Sequence, residues 1–329
     1  MYYVRNESNN AYFNIAMEEY ILKKSLSTGD SYLLLYINDP AIIIGKHQNT
    51  IEEVNREYVK EHDIYVVRRM SGGGAVYHDR GNLNFSYILE AGRGDVNNFE
   101  KFTLPIIKAL DRMGIKTQLS GRNDLTIDGK KFSGNAQYYH RNRLLHHGTI
   151  LFNSRMENLS KALNVKQEKI QSKGIKSVRS RVTNIIDYLP EKRSIEEFRD
   201  LLLEYLFQEE GGIKEYALTP EDMEGIHGLV KEKYGTWEWN WGESPDFDIQ
   251  KSQRFPVGLI DVRLNVSGGI IKDCRIFGDY FGSRDTEELE RLLVGIKYRE
   301  DEIRQVLRGV PLEEFFGRIS LEEFLGCII

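Results

Sequence analysis

Only two cysteines occur in the 329 residues, Cys274 and Cys327, and positions 1 to 273 hold none. That excludes a disulfide framework and a C-x-x-C metal pair, and it leaves most of the chain without a thiol nucleophile. Proline is scarce, at 7 residues, and neither an internal repeat nor a low-complexity tract appears, which excludes solenoid and disordered classes. Long apolar runs are missing: Tyr32 to Ile37 is typical and falls far short of the ~20 residues of a membrane span. The opening Met1-Tyr-Tyr-Val-Arg-Asn-Glu-Ser-Asn-Asn has no basic stretch followed by an apolar one, so the cytoplasm is the expected location and no membrane the expected surroundings. An overall positive charge is also absent, the net value being -5 at pH 7.

What is present describes a globular protein. Hydrophobic residues make up 40% and charged residues 29%, with a mean hydropathy of -0.46, enough to bury a core and stay in solution. At ~150 residues per domain the length suggests two domains. The charge is unevenly spread. Between Ser120 and Asn184 basic residues outnumber acidic ones by nine, leaving the remainder strongly acidic. Such a segment is either a solvated face or a site for a polyanion, whether nucleotide, nucleic acid or acidic protein surface.

Apolar spacing predicts a helix over Asn10 to Ser25, with Phe13, Ala16, Tyr20 and Ile21 on one face. Tyr32 to Ile37 and Ala41 to Ile44, broken by Asn38-Asp39-Pro40, read as a hairpin, followed by a helix over Ile51 to His62. Strands are expected at Ile64 to Arg69, Gly74 to Tyr77, Asn84 to Leu89, Asp124 to Ile127, Lys131 to Tyr139 and Leu144 to Phe152, with a helix at Phe99 to Met113. Helix then extends from Asn153 through Gln208 and again over Pro220 to Lys233. An aromatic segment from Thr236 leads to turn residues and a boundary near 243 to 252, after which come strands Val257 to Val266 and Gly269 to Ile276 and two or three helices. The pattern is that of a mixed-sheet α+β domain, residues 1 to 245, followed by a smaller α+β accessory domain, residues 246 to 329.

The densest motif is Arg68-Arg69-Met70-Ser71-Gly72-Gly73-Gly74-Ala75-Val76-Tyr77-His78-Asp79. Three glycines after a strand let backbone N–H groups approach a ligand, and the two arginines offer planar donors for a carboxylate or phosphate. The same glycines would also serve a hairpin that needs their φ angles. Neither G-x-x-x-x-G-K-[ST] nor G-x-G-x-x-G is matched. A second constellation runs from Gly121 to Gln137, where Asp124 is a candidate Mg²⁺ ligand and Asp128-Gly129 a turn from which Lys131 departs on a strand. Standing alone, such a lysine is more often a solvated side chain. His146 and His147 are adjacent on a strand and face opposite ways, so they cannot form a two-ligand metal site.

Taken together, R-R-x-S-G-G-G-A-V-[FY]-H-D, G-R-N-D-L, D-G-x-K-x-S-G-x-A, H-H-G-T and, at Ser177 to Asn184, S-V-R-S-R-V-T-N resemble the lipoate-protein ligases in content and order. The likeness extends from Asn14-Ile-Ala-Met-Glu-Glu to Ile276-Phe-Gly-Asp-Tyr-Phe-Gly. The resemblance implies a biotin/lipoate ligase-like catalytic domain that makes lipoyl-AMP and pyrophosphate from lipoate and MgATP. It then implies transfer of the lipoyl group to a lysine of a carrier, either a lipoyl domain of a 2-oxoacid dehydrogenase E2 subunit or the glycine-cleavage H protein. By similarity Lys131 is the catalytic residue. Arg69, Ser71, Gly72, Gly73, Gly74 and Ala75 would line the lipoyl carboxyl end, Tyr77 and His78 would lie toward the adenylate, and Asn123 and Asp124 would serve phosphate and metal. Gly134, Ala136 and His147 match pocket positions. A monomer is expected, with no nucleic acid as partner. Met70, Lys46 and Asn135 depart from the commonest family residues without removing a charge from the site.

Two relatives in chemistry fit less well. An acyl transferase working through a thioester needs a thiol in the pocket, and both cysteines fall outside the first domain. A biotin ligase would carry a G-R-G-R-x-G-R type loop, which is not seen. A nucleic-acid module would interleave exposed aromatics with the basic residues, for which only Phe132, Tyr138 and Tyr139 are available.

Overall fold

In the strand Tyr32–Ile37 (β2) every residue is buried, because alternate side chains enter two different cores. Leu33, Leu35 and Ile37 join Phe85, Ile106 and Phe198 on one side, while Tyr32, Leu34 and Tyr36 join Ile15, Met17 and Ile226 on the other. A sheet with helices on both faces follows. This computed structural model describes residues 1–163, 182–208, 211–241 and 249–329.

Tyr2–Arg5 (β1) and β2 are joined in the main sheet by Asn82–Glu90 (β6), Gln118–Ser120 (β7), Asp124–Ile127 (β8), Lys130–His140 (β9), Arg143–Leu151 (β10) and Glu215–Ala217 (β11). The order is β11-β1-β2-β6-β10-β9-β8-β7, parallel where β1 meets β11 and β2 and antiparallel elsewhere. Helices Ala11–Thr28 and Pro220–Leu229 cover one face, and Phe99–Arg112 and Ile195–Phe207 the other. A second small sheet, Tyr65–Arg68 (β4), Ala41–Ile44 (β3) and Val76–His78 (β5), has β3 at its centre, parallel to β4 and antiparallel to β5. Residues 249–329 have a core of their own: Ile249–Phe255 (β12), Gly258–Ser267 (β13) and Ile270–Gly278 (β14) form a meander packed by Leu289, Phe315, Phe316 and Phe324. No described helix is long and apolar enough to cross a membrane.

The mixed α+β architecture expected from the pattern is present, and several local expectations need correction. Tyr32–Ile37 and Ala41–Ile44 are strands but not a hairpin, since β2 pairs β1 and β6 while β3 pairs β4 and β5. The connection diverts because Asn38 is fully buried and bonded to Asn14 and His78, which turns the chain into the second sheet. The helix over 51–62 is two short ones, Thr50–Glu53 and Arg56–Glu61, because Asn55 caps the second through Tyr58 N and leaves helical geometry to do so. In the stretch 153–208 the described helices are Met156–Ala162, a 3₁₀ turn at Ile185–Tyr188, and Ile195–Phe207, the last opened by a Ser194/Glu197 capping box. Residues 164–181 lie outside the described ones, as does most of Ser177 to Asn184. Trp237–Asn240 is a helical turn rather than part of a linker, and β12 occupies positions assigned to the boundary. The expected junction at 245/246 itself falls outside the described residues. Four short helices, not two or three, follow β14.

Candidate active site

At the end of β4 two adjacent arginines part company. The Arg68 guanidinium donates to the carbonyls of Gly45, Lys46, Gln48 and Trp239 and to Thr50 Oγ1, so it clamps the 45–50 loop and is not among the residues that line the cavity. That corrects the expectation that both arginines open on an anion. Arg69 is buried; it donates to Ser71 Oγ, to the Ile43 carbonyl, and to the carbonyls of Gly72 and Gly74 at 2.7 and 2.9 Å. Three of its five N–H groups thus shape the glycine loop from inside, and a fourth ties it to β3. Burial lowers its pKa to about 10, which leaves it a cation at neutral pH. Of the loop glycines only Gly73 has a positive φ, +93°. Gly45 and Gly72 are required by close approach instead, since a Cβ on either would strike the carbonyl of Gly73 or of Tyr280.

The central strands supply the rest. Antiparallel pairing sets His147 opposite Ser86 on one side and Ala136 on the other. His147 Nδ1 lies 2.9 Å from the Glu18 carboxylate, and Ser71 Oγ lies 2.6 Å from His147 Nε2. The Glu18 carboxylate can only accept, so His147 donates from Nδ1, while Ser71 Oγ, which accepts from Arg69 Nε, links the arginine to Nε2. Glu18 also accepts from Tyr36 and Ser86. Burial alone would raise its pKa, but the His147 charge and these hydrogen bonds outweigh it, and the net direction is down. His146 faces the opposite way, among Phe85, Phe99 and Phe102, with its pKa pushed down to about 3 by burial.

Lys131 emerges where the β8–β9 register slips by a bulge between Leu125 and Thr126, a device that re-aims a side chain. Its ammonium lies 2.7 Å from Asp124 Oδ1, both side chains being about two-fifths exposed (40% and 37%). The Lys131 carbonyl accepts from Thr183 N, so the described end of the 177–184 motif braces this strand. Asn123 and Asn135 tie their backbones and amides together across the same strand pair. Among the described residues no three His, Cys, Asp or Glu side chains converge as a metal cage. Mg²⁺ bound chiefly through substrate phosphates needs only one or two carboxylates, and Asp124 offers one.

These groups surround a cavity of about 160 Å³. Of the residues expected from the sequence, Arg69, Gly74, Ala75, His78, Asn123, Lys131, Gly134, Ala136 and His147 line it. Ser71, Gly72 and Gly73 form the loop behind that wall, and Asp124 reaches it through Lys131. Tyr77 lies on the other face of β5, packed near Ile42, Val59 and Val66 with its hydroxyl bonded to Asn158; strand alternation puts Val76 and His78 on the cavity side instead. Sequence reasoning missed Ile15, Tyr36, Ile43 and Val76, which form the apolar wall, and, although the Asp279 to Gly282 segment reads as a contact loop or a structural one, it did not place Phe281 in that wall. Glu18 also escaped notice, although it falls on the stripe Ala11, Ile15, Glu18, Leu22, which was the available signal.

Phe281 belongs to the C-terminal part, as do Tyr280, whose carbonyl accepts from Gly73 N at 3.2 Å, and Asp285, which pairs with Lys46 at 2.5 Å. The Arg122 guanidinium sits 4.3 Å over the Phe281 ring and His47 stacks on Tyr280. Both cysteines are buried in the C-terminal core, away from the cavity.

Comparison with known proteins places these features in context. The Lipoyl protein ligase A/B catalytic domain family matches residues 10–207, and the Bacterial lipoate protein ligase C-terminus family matches 244–328. The lipoate-protein ligase LplJ of Bacillus subtilis is 51% identical over 331 residues, covering 100% of both chains, and lipoate–protein ligase 1 of Staphylococcus aureus is 46% identical over 95% of this chain and 94% of its own. Among solved structures, P. falciparum LipL1 in complex with lipoate superposes with a TM-score of 0.80 at 26% identity, covering 98% of this chain and 96% of its own. A bi-partite ligase from Thermoplasma acidophilum, described with its E2 lipoyl domain, gives 0.67 at 31% identity over 75% and 98% of the two chains. A lipoate-protein ligase A bound with ATP gives 0.64 at 28% over 73% and 98%.

Proposed function

The chain belongs to the lipoate-protein ligase family and is a ligase, and from that premise we propose that it couples lipoate to ATP and passes the acyl group to a carrier lysine. In the first step a carboxylate oxygen of lipoate attacks the α-phosphorus of ATP. The bond to the β-phosphate bridging oxygen breaks, and pyrophosphate and lipoyl-AMP result. In the second, the neutral amine of the carrier lysine attacks the lipoyl carbonyl, AMP leaves, and the amine sheds a proton as the amide forms. The carriers in view are E2 lipoyl domains, of the kind described with the archaeal neighbour, or the glycine-cleavage H protein.

The observation that carries this reading is the convergence of Lys131, Arg69 and His147 on a single cavity with an apolar wall. Two anions must meet in the first step, and the Lys131 ammonium with the buried Arg69 cation offsets their repulsion. Lys131 then polarises the mixed anhydride for attack. Its pairing with half-exposed Asp124 is exchangeable, so the lysine turns to the substrate while Asp124 would hold Mg²⁺, which when bound shields the phosphate charge. Ile15, Tyr36, Ile43 and Val76 receive the acyl chain; the Ser71, Gly72, Gly73, Gly74 and Ala75 loop and Asn123 lie at the carboxyl and phosphate end, and Gly134 and Ala136 keep the strand wall low enough for a ligand to pass. We assign residues 1–245 to catalysis and 246–329 to an accessory domain. The test is release of pyrophosphate on adding lipoate and MgATP, followed by a mass spectrum of a lipoyl domain. A chain that releases none and leaves the carrier mass unchanged has another function.

A further inference from the structure

Asn6, Asn14, Asn38 and His78 form a one-way chain of hydrogen bonds ending at the cavity. Asn14 Nδ2 donates to the Ser8 carbonyl at 3.0 Å, which identifies that atom as the nitrogen, and it also donates to Asn38 Oδ1 at 2.7 Å. Asn6 Nδ2 completes the arrangement by donating to Asn14 Oδ1 at 2.7 Å. With its oxygen placed, Asn38 must present Nδ2 to His78 Nδ1, 3.0 Å away. An amide nitrogen donates and does not accept, so Nδ1 of His78 is the acceptor and the ring proton sits on Nε2. Asn14, Asn38 and His78 are 0%, 0% and 3% exposed, so water does not blur this logic. His78 Nε2 is buried and has no hydrogen-bond partner among the described residues, while the residue lines the cavity. A buried donor without an acceptor asks for explanation. Burial, with the charges of Arg69 and His147, pushes the imidazole pKa down to about 3, so the ring is neutral.

We propose that Asn38 is a positioning residue that locks His78 as a neutral Nε2–H donor, and that this donor meets an oxygen of the bound acyl-adenylate, on its carboxyl or its phosphate side. The proposal rests on the adenylate reading given above. The choice of an amide over a carboxylate is the chemical point. An aspartate at 38 would accept a hydrogen bond from an Nδ1–H, and the ring would turn a lone pair toward the substrate oxygen instead of a hydrogen. Lys131 and Arg69 answer the charge of the substrate, whereas His78 adds direction without adding charge.

The tautomer is read in the full chain by ¹⁵N NMR of the imidazole, and affinity by calorimetry with two probes, lipoate and a non-hydrolysable lipoyl-sulfamoyl adenosine. The wild type is expected to show the Nε2–H form. Asn38→Asp is expected to shift the ring to the Nδ1–H form and to weaken the adenosine probe by about tenfold or more. His78→Gln, which restores an N–H, should bind better than His78→Phe, and this pair carries the comparison if Asn38→Asp does not fold. Weakening of lipoate as well puts the donor on the carboxyl oxygen, and weakening of the adenosine probe alone puts it on the phosphate side. A wild type in the Nδ1–H form, or variants that bind both probes as tightly as the wild type, overturns the proposal alone. A wild type that binds neither probe overturns the adenylate reading and this ligand assignment with it.

Discussion

Lys131 and Asp124 neutralise each other at 2.7 Å on a partly exposed strand edge, so removing the lysine costs little packing. Lys131→Ala should fold normally, as judged by thermal unfolding, yet slow adenylate formation and lipoyl transfer by ~10² or more. Lys130 precedes it on β9, is exposed and does not line the cavity, so Lys130→Ala should retain full rates in both half-reactions. Full activity in Lys131→Ala would refute the assignment. The lysine was legible because its glycine-turn context is a motif. Glu18 was not, because a carboxylate on an amphipathic helix looks like a solvated charge until the sheet beneath it is known to carry His147, Ser86 and Tyr36. Tyr77 and His78 illustrate a different gap: the motif names both, and only strand alternation in a correctly placed β5 says which one faces the cavity.

Helix Ala11–Thr28 is stapled to helix Pro220–Leu229 by Asp222, which accepts from Lys24 Nζ at 2.8 Å, Tyr216 OH at 2.5 Å and Tyr20 OH at 3.1 Å. Burial would raise the pKa of this carboxylate, but hydrogen bonds from Lys24, Tyr216 and Thr219 prevail and hold it well below the usual range. A carboxylate depressed in the folded state stabilises fully above its unfolded pKa of about 4, and that stability drains away as pH falls through the folded value. Asp222→Asn should therefore lower stability at pH 7 by ~3 kcal/mol and lose less than the wild type between pH 4 and 2, as measured by urea unfolding across that range. A parallel downward shift at every pH would exclude this staple as the source. At the level of elements the long strands and amphipathic helices were readable from period alone. Pairing was not: Asn38-Asp39-Pro40 has the length of a hairpin connection, and what sends β3 into another sheet is the buried amide of Asn38, a tertiary bond. Tyr2–Arg5, Gln118–Ser120 and Glu215–Ala217 are too short to show a period, so these marginal strands of the main sheet went unread.

Across the whole molecule, we propose carrier docking for the basic segment and support of adenylation for the C-terminal part. Arg143 is 3% exposed and so is closed to a docking partner, whereas Arg141 is exposed at the β9–β10 turn. Arg141→Glu should raise KM for an acidic carrier and leave KM for lipoate unchanged, with the gap narrowing as salt is added; equal effects on both substrates would exclude a docking role. A chain ending near Glu243 loses Phe281 from the cavity wall and Tyr280 from the loop. It should still transfer from supplied lipoyl-AMP but make that intermediate slowly, and a folded fragment adenylating at the full rate would remove the C-terminal part from the first step. The bond from Gly73 N to the Tyr280 carbonyl also makes the two parts thermodynamically linked. That single peptide hydrogen cannot serve both a phosphate oxygen and the neighbouring carbonyl, so any ligand that takes it loosens the junction. By reciprocity, whatever draws the junction apart tightens the ligand by the same factor.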